Sequence, residues 1–469
     1  MATRSFLDMA SFVCVMHPDA VDVPEALRAI LESGTDEEVA RAFGTPQSGI
    51  AAEFRGPLWN RHTHLHETIH FWQALRFPFV YWNALYCWRF LLDRFVDTNR
   101  QTDDFHQWQL PLPRSLNFMS ERICVHFSES KVVVNDNRHA IPGFRSMEPA
   151  CALDLLETAV SYTQWKLASF FGESDEGTFS MWCKLNSSYP EMMRWLHAFL
   201  GDEDLALAMY LPLCSAAFET TNPVRAFAEL AHAYARRHTT ARMYHSVKIR
   251  KRIRKLLPTL SFSPAGPTDI ELSDHSLLDI PFWWISLRQV VGLRFGLRDW
   301  PHPTLGGLAQ RWSDEAVRHP EMCRVLELPD TISRETMTRC LTDYQPLFIV
   351  RYDCATRTRI IPYGDLSDFP IFSLIEQAAP GSSGSAAFVD LYTAFGAIRR
   401  ASGALYAPDA TLCPHVACPE HKDNYCNAWM FIHPRYQDCK FLEHFEYIRK
   451  SFRNAERMTV DSQHQSHSS

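Results

Sequence analysis

His66, Glu67 and His70 form the pattern H-E-x-x-H. On an α-helix the i, i+4 spacing brings both imidazoles onto one face, where they can ligate a single Zn²⁺. Glu67 lies between them and can point at a water on that metal. The chemistry such a set supports is hydrolysis by a metal-activated water, with Glu67 as general base. Two histidines do not complete the set, because a catalytic zinc takes three protein ligands and keeps one position open.

The chain has 21 His in 469 residues, so H-E-x-x-H arises by chance in such a composition with a probability of about 0.05. The flanks add to the motif. Thr63, His64 and Leu65 precede it, Thr68 and Ile69 fill it, and Phe71, Trp72 and Leu75 follow. None of these carries a permanent charge, as a helix holding a buried metal requires. His62 lies four residues before His66 and offers a second pair. Glu67, between His66 and His70, favours the motif pair and leaves His62 and His64 at the entrance or the surface.

The elements that must position these residues are mainly helical. No Pro or Gly interrupts 60–77, so one helix is expected there, ended or kinked by Pro78. A second, aromatic-rich helix should run to about residue 96. Residues 1–57 read as an N-terminal cap with short helical patterns at 24–30 and 36–43. The β-branched runs 123–127 and 131–134 predict a hairpin. Helices follow at 151–169, 181–200, 202–218, 222–238 and 245–257, and the Pro-rich stretch 258–270 reads as a linker. A second hairpin is expected at 347–351 and 357–361. The expected fold class is mainly α with small β hairpins (α+β). The expected divisions are a cap over 1–57, a metal domain over 58–258, and a helical, Cys/His-rich region over 272–469.

The stretch around the motif resembles the extended zincin signature, with Thr63 at its leading position and hydrophobic Trp72 two residues after the second His. The resemblance covers about 58–164, at the level of motifs. It implies a zincin-like metallopeptidase in which a hairpin near the metal helix can bind substrate backbone. The metzincin continuation, a Gly and a third His, is absent from 73–81. The resemblance therefore points to a gluzincin-like arrangement, with a Glu on a downstream helix as third ligand. Glu157 is the first choice: Leu153, Val160 and Ser161 lie three or four residues from it, so much of its helical face is uncharged although Asp154 shares that side, and a buried carboxylate there needs a positive partner. The turn 141–144 before it and Ala159 after it are similar to the third-ligand helix of several bacterial H-E-x-x-H families. Ser161 stands where those families place an Asp. Glu219, Glu229 and a further His are rivals. Tyr162, His126 and His232 are candidate donors to the oxyanion.

Cys413, Cys418, His421 and Cys426 form a second cluster, with His415 inside it. Thiolates and imidazoles at short spacing suit a structural Zn²⁺, although unmetallated cysteines and an iron–sulfur site remain alternatives. The expected cofactor is thus Zn²⁺, one catalytic and a second structural at this cluster. The stretch 248–257 has Ile249, Ile253, Leu256 and Leu257 on one face and Lys or Arg elsewhere. A packed surface helix with solvated charges is the favoured reading. Contact with nucleic acid, an acidic partner or an anionic surface is the alternative.

Charged residues are 22% and hydrophobic ones 46%, an ordinary balance for a globular protein. A net charge of −7 gives no overall sign of polyanion binding. The run 77–92 is broken by Pro78, Asn83 and Arg89 and is too short to span a membrane. Thirteen scattered Cys and no basic-then-apolar start point to a reducing, cytoplasmic setting. A peptidase there needs restraint, so a protein or peptide substrate of narrow range and a regulatory partner are expected. A metal-stabilised interaction protein is the alternative to an enzyme.

Overall fold

A computed structural model describes residues 6–8, 13–16, 61–80, 124–127, 132–135, 145–146, 150–167, 191–238, 246–265, 320–343, 346–353 and 358–363. The described part is mostly helical, with two small sheets. The helices are α1 (Arg61–Arg76), α2 (Ala152–Leu167), α3 (Glu191–Leu200), α4 (Glu203–Ala217), α5 (Pro223–His238), α6 (Ser246–Leu256), α7 (Pro320–Glu327) and α8 (Arg334–Asp343). The strands are β1 (Phe6–Asp8), β2 (Val13–Met16), β3 (Cys124–Phe127), β4 (Val132–Asn135), β5 (Arg145–Ser146), β6 (Leu347–Asp353) and β7 (Thr358–Tyr363).

Both expected hairpins form, β3–β4 and β6–β7, each antiparallel. Strands β1 and β2 have no counterpart in the sequence reading. β2 lies between β1, its antiparallel partner, and β6, with which it pairs in parallel from Val13↔Leu347 to Met16↔Val350. One sheet, in the order β1-β2-β6-β7, thus joins Phe6–Asp8 and Val13–Met16 to Leu347–Asp353 and Thr358–Tyr363, segments far apart in the chain. Contacts among described residues run across the divisions expected after 57 and 258. The helical patterns expected at 24–30 and 36–43 lie outside the described residues.

The helix ends follow local chemistry. Asp202 caps α4, its Oδ1 accepting the Leu205 N–H at 3.0 Å. Gly201 before it has φ +67, a left-handed conformation that ends α3 without a Cβ penalty. Pro223 opens α5, and Asn222 Oδ1 accepts the Arg225 N–H at 3.2 Å. Asp154 reaches back from the first turn of α2 to the Cys151 N–H at 2.8 Å. Pro78 stops α1 as expected, and the chain after it is anchored by Phe79 N–H to the Phe218 carbonyl at 3.1 Å. Residues 258–265, expected as linker, lie against the turn after α4: Thr221 N–H donates to the Ser263 carbonyl, and Ala265 N–H to that of Glu219.

The core is built around α1 and α4. Phe71, Trp72, Phe77, Tyr210, Phe218 and Phe227 are fully buried, and Phe77 stacks on Phe218 with centroids 5.1 Å apart. Burying side chains of this size contributes about 1.5–3 kcal/mol each. Helix α1 packs against α2, α7 and the strands β1 and β2, so apolar walls surround the motif on nearly every side. Among the described residues no helix is long and apolar enough to cross a membrane.

Candidate metal centre

His66, His70 and Gln73 share one stripe of α1, and Glu157 and Gln164 share one stripe of α2, seven residues apart. The two stripes face each other. Glu157 Oε2 lies 3.2 Å from His66 Nε2, and Glu157 Oε1 lies 3.3 Å from His70 Nε2. The three ligand atoms are all within 4.8 Å of one another. Ligands about 2.0–2.2 Å from a tetrahedral Zn²⁺ lie roughly 3.3–3.6 Å apart, so the two His–Glu separations match that geometry.

The far side of each imidazole decides what the near side offers. His70 Nδ1 is 3.0 Å from Gln73 Oε1, and His66 Nδ1 is 3.3 Å from Gln164 Oε1. An amide oxygen only accepts, so each Nδ1 carries the proton. Neutral imidazoles in that tautomer turn their Nε2 atoms toward the Glu157 carboxylate, and two imidazole nitrogens and a carboxylate are a donor set that suits a divalent cation. A single divalent cation placed among them could be held by all three residues.

Burial alone would raise the Glu157 carboxyl, but His70 and His66 overcome it and hold the group well below the usual carboxylate range. Glu67 behaves in the opposite way. It is buried, its Oε2 has no hydrogen-bond partner among the described residues, and desolvation pushes its pKa up to about 7. The backbone of Leu7 on β1 hydrogen-bonds to its carboxylate, and His66 lowers its pKa while Glu157 raises it. Cys14 on β2 donates to the Glu67 carbonyl at 3.7 Å, which fastens this turn of α1 to the sheet. His66 and Glu157 are about one-quarter exposed and His70 is not, so the cluster opens to solvent on one side.

The rival third ligands are committed elsewhere. Glu219 pairs with Arg76 at 3.3 Å and with Arg254, and Glu229 pairs with Arg225 at 2.7 Å. The contacts of Tyr162 run to Trp165 and Lys166, and His232 lies against Phe199. His126 is on β3. Cys413, Cys418, His421 and Cys426 lie outside the described residues. Gln73 and Gln164 went unforeseen; their spacings, three residues after His70 and seven after Glu157, were the available signal.

The basic stretch 248–257 is divided by α6 into two faces. Ile249, Ile253 and Leu256 are buried, as the amphipathic pattern requires. Arg250 and Arg254 turn toward Glu327 on α7, which also receives Ser215 and, at 3.4 Å, Arg76 from the last turn of α1. Lys248, Lys251 and Lys255 are exposed and Arg252 is half-buried. No family model matches the chain, and neither a curated protein nor a solved structure matches it.

Proposed function

We propose that this chain is a zinc-dependent peptidase in which His66, His70 and Glu157 hold the metal and Glu67 is the general base. The observation that carries the reading is the grouping of two imidazoles and one carboxylate with ligand atoms within 4.8 Å of one another, each imidazole having a glutamine oxygen at its Nδ1. Bound zinc would supply a polarised water and a Lewis acid for the carbonyl under attack. Glu67 would take the proton of that water and pass it to the leaving amine. Its unpartnered Oε2 and a pKa near neutrality suit that work. The motif-level resemblance to gluzincin-like peptidases favours a peptide as substrate. So does the position of β1, the outer strand of its sheet among the described residues, whose Leu7 touches the base. The zincin-like fold class belongs to this proposal.

The test is Glu67→Gln. Peptide hydrolysis should fall by about 10²–10⁴-fold while the zinc content stays that of the wild type. Undiminished turnover would remove the enzyme reading. A second reading, a metal-stabilised protein that binds an acidic partner through α6, is favoured by the exposed Lys248, Lys251 and Lys255. It expects function to survive Glu67→Gln and to be lost when those lysines are neutralised.

A further inference from the structure

We infer that Gln73 is a positioning residue of this centre: it holds His70 as the tautomer that presents Nε2 and ties that imidazole to the turn carrying Glu157. The inference rests on the metal reading above. Gln73 is buried and sits one turn beyond His70 on α1. Its Oε1 takes the Nδ1–H of His70 at 3.0 Å, and its Nε2 donates to the Leu156 carbonyl at 3.4 Å. The second bond decides the first. Flipping the amide would set Oε1 against the Leu156 oxygen and turn the NH₂ group toward His70, so the α2 backbone fixes which way the amide points. Leu156 is the residue before Glu157. A single amide therefore bridges one ligand to the backbone beside another, across two helices. Gln164 performs the first half of this task for His66 at 3.3 Å.

Both outer partners are neutral. A carboxylate in either place would add negative charge to a ligand set that already holds Glu157, and would make the imidazole a stronger donor to the metal. The neutral amides fix orientation without that added charge, which leaves a bound dication more electron-poor.

The test uses the full chain with ¹⁵N-labelled histidine, as wild type, Gln73→Met and Gln73→Glu, first metal-free and then with Zn²⁺ alone. Met conserves volume in this buried position and offers no oxygen. Glu keeps the acceptor for His70 and loses the donor to Leu156. In the metal-free wild type, His70 should show a single Nδ1–H tautomer. Gln73→Met should show a tautomer mixture and bind Zn²⁺ about 10–100-fold more weakly. Gln73→Glu should keep the tautomer. A wild-type tautomer together with wild-type Zn²⁺ affinity in Gln73→Met would overturn the inference, as would loss of the tautomer in Gln73→Glu. A tautomer that depends on Gln73 in a chain that takes up no Zn²⁺ would support the hydrogen-bond assignment and overturn the metal reading alone.

Discussion

Glu67 and Glu327 are almost equally buried, at 4% and 2% exposure, and the protein treats them in opposite ways. Glu327 receives Arg76, Arg250, Arg254 and the Ser215 hydroxyl. Burial works against its charge, yet the guanidiniums win and its pKa is lowered. Among the described residues no cation is fixed to Glu67 and one of its oxygens is unpartnered, and its pKa rises to about 7. A buried carboxylate with matched cations joins elements: here it ties α7 to α1, α4 and α6. A buried carboxylate left short of partners costs stability, and such a cost is found where a group must exchange protons. Both bear on α1, Glu67 as one of its residues and Glu327 from α7 through Arg76. Glu67 is near the imidazoles, and Arg76, which serves Glu327, is in the last turn.

Removing each carboxylate should sharpen this contrast. The largest expected effect on stability is that of Glu327→Ala, which takes a buried carboxylate from Arg76, Arg250 and Arg254 and leaves Glu219 to serve the first and last of them. Chemical denaturation should show a loss of about 3–5 kcal/mol; a loss below 1 kcal/mol would mean that the arginines find other partners. Next, Glu67→Gln in chelator-treated protein at pH 8 should gain about 1–3 kcal/mol, because an uncompensated buried charge is removed. A loss there would contradict the assignment of Glu67 as a strained base.

The pH dependences should have opposite signs. The folded pKa of Glu327 is depressed below 4.5, so its contribution is present above that value and is lost as pH falls through the folded pKa. The folded pKa of Glu67 is raised from 4.5 to about 7, so its penalty is absent below 4.5, grows as pH rises, and is complete above about 7. Glu327→Gln should flatten the acid side of the stability profile, and Glu67→Gln the stretch from 4.5 to 7. At the small end is the exposed Arg225–Glu229 pair on α5. Glu229→Ala should cost no more than about 0.5 kcal/mol, and an effect of several times that would revive Glu229 as a site residue.

Much of the scaffold around the site was legible from the residues. An uninterrupted 60–77 bounded by Pro78 became Arg61–Arg76, and the β-branched runs became the hairpins β3–β4 and β6–β7. Glu157 could be chosen because much of its face, Asp154 aside, is uncharged and a buried carboxylate there needs a positive partner, and the structure brings it within 3.3 Å of both imidazoles. Strands β1 and β2 were not legible. They are three and four residues long, and β2 gains its pairing from β6, more than 330 positions away. Local pattern carries no trace of so distant a partner. The arginine cluster escaped for the same reason, since it draws on residues 76, 215, 219, 250, 254 and 327. On α6, the pattern distinguished the buried stripe from the rest but could not say which cations turn inward.

The most direct test of a metal held by His66, His70 and Glu157 is elemental analysis of the full chain purified without chelator, beside the His66→Ala/His70→Ala double variant. Wild type should carry one zinc more than the variant, whether or not the cysteine cluster at 413–426 holds another. Equal zinc in the two proteins, or none in either, would contradict the metal centre and the hydrolysis proposed from it.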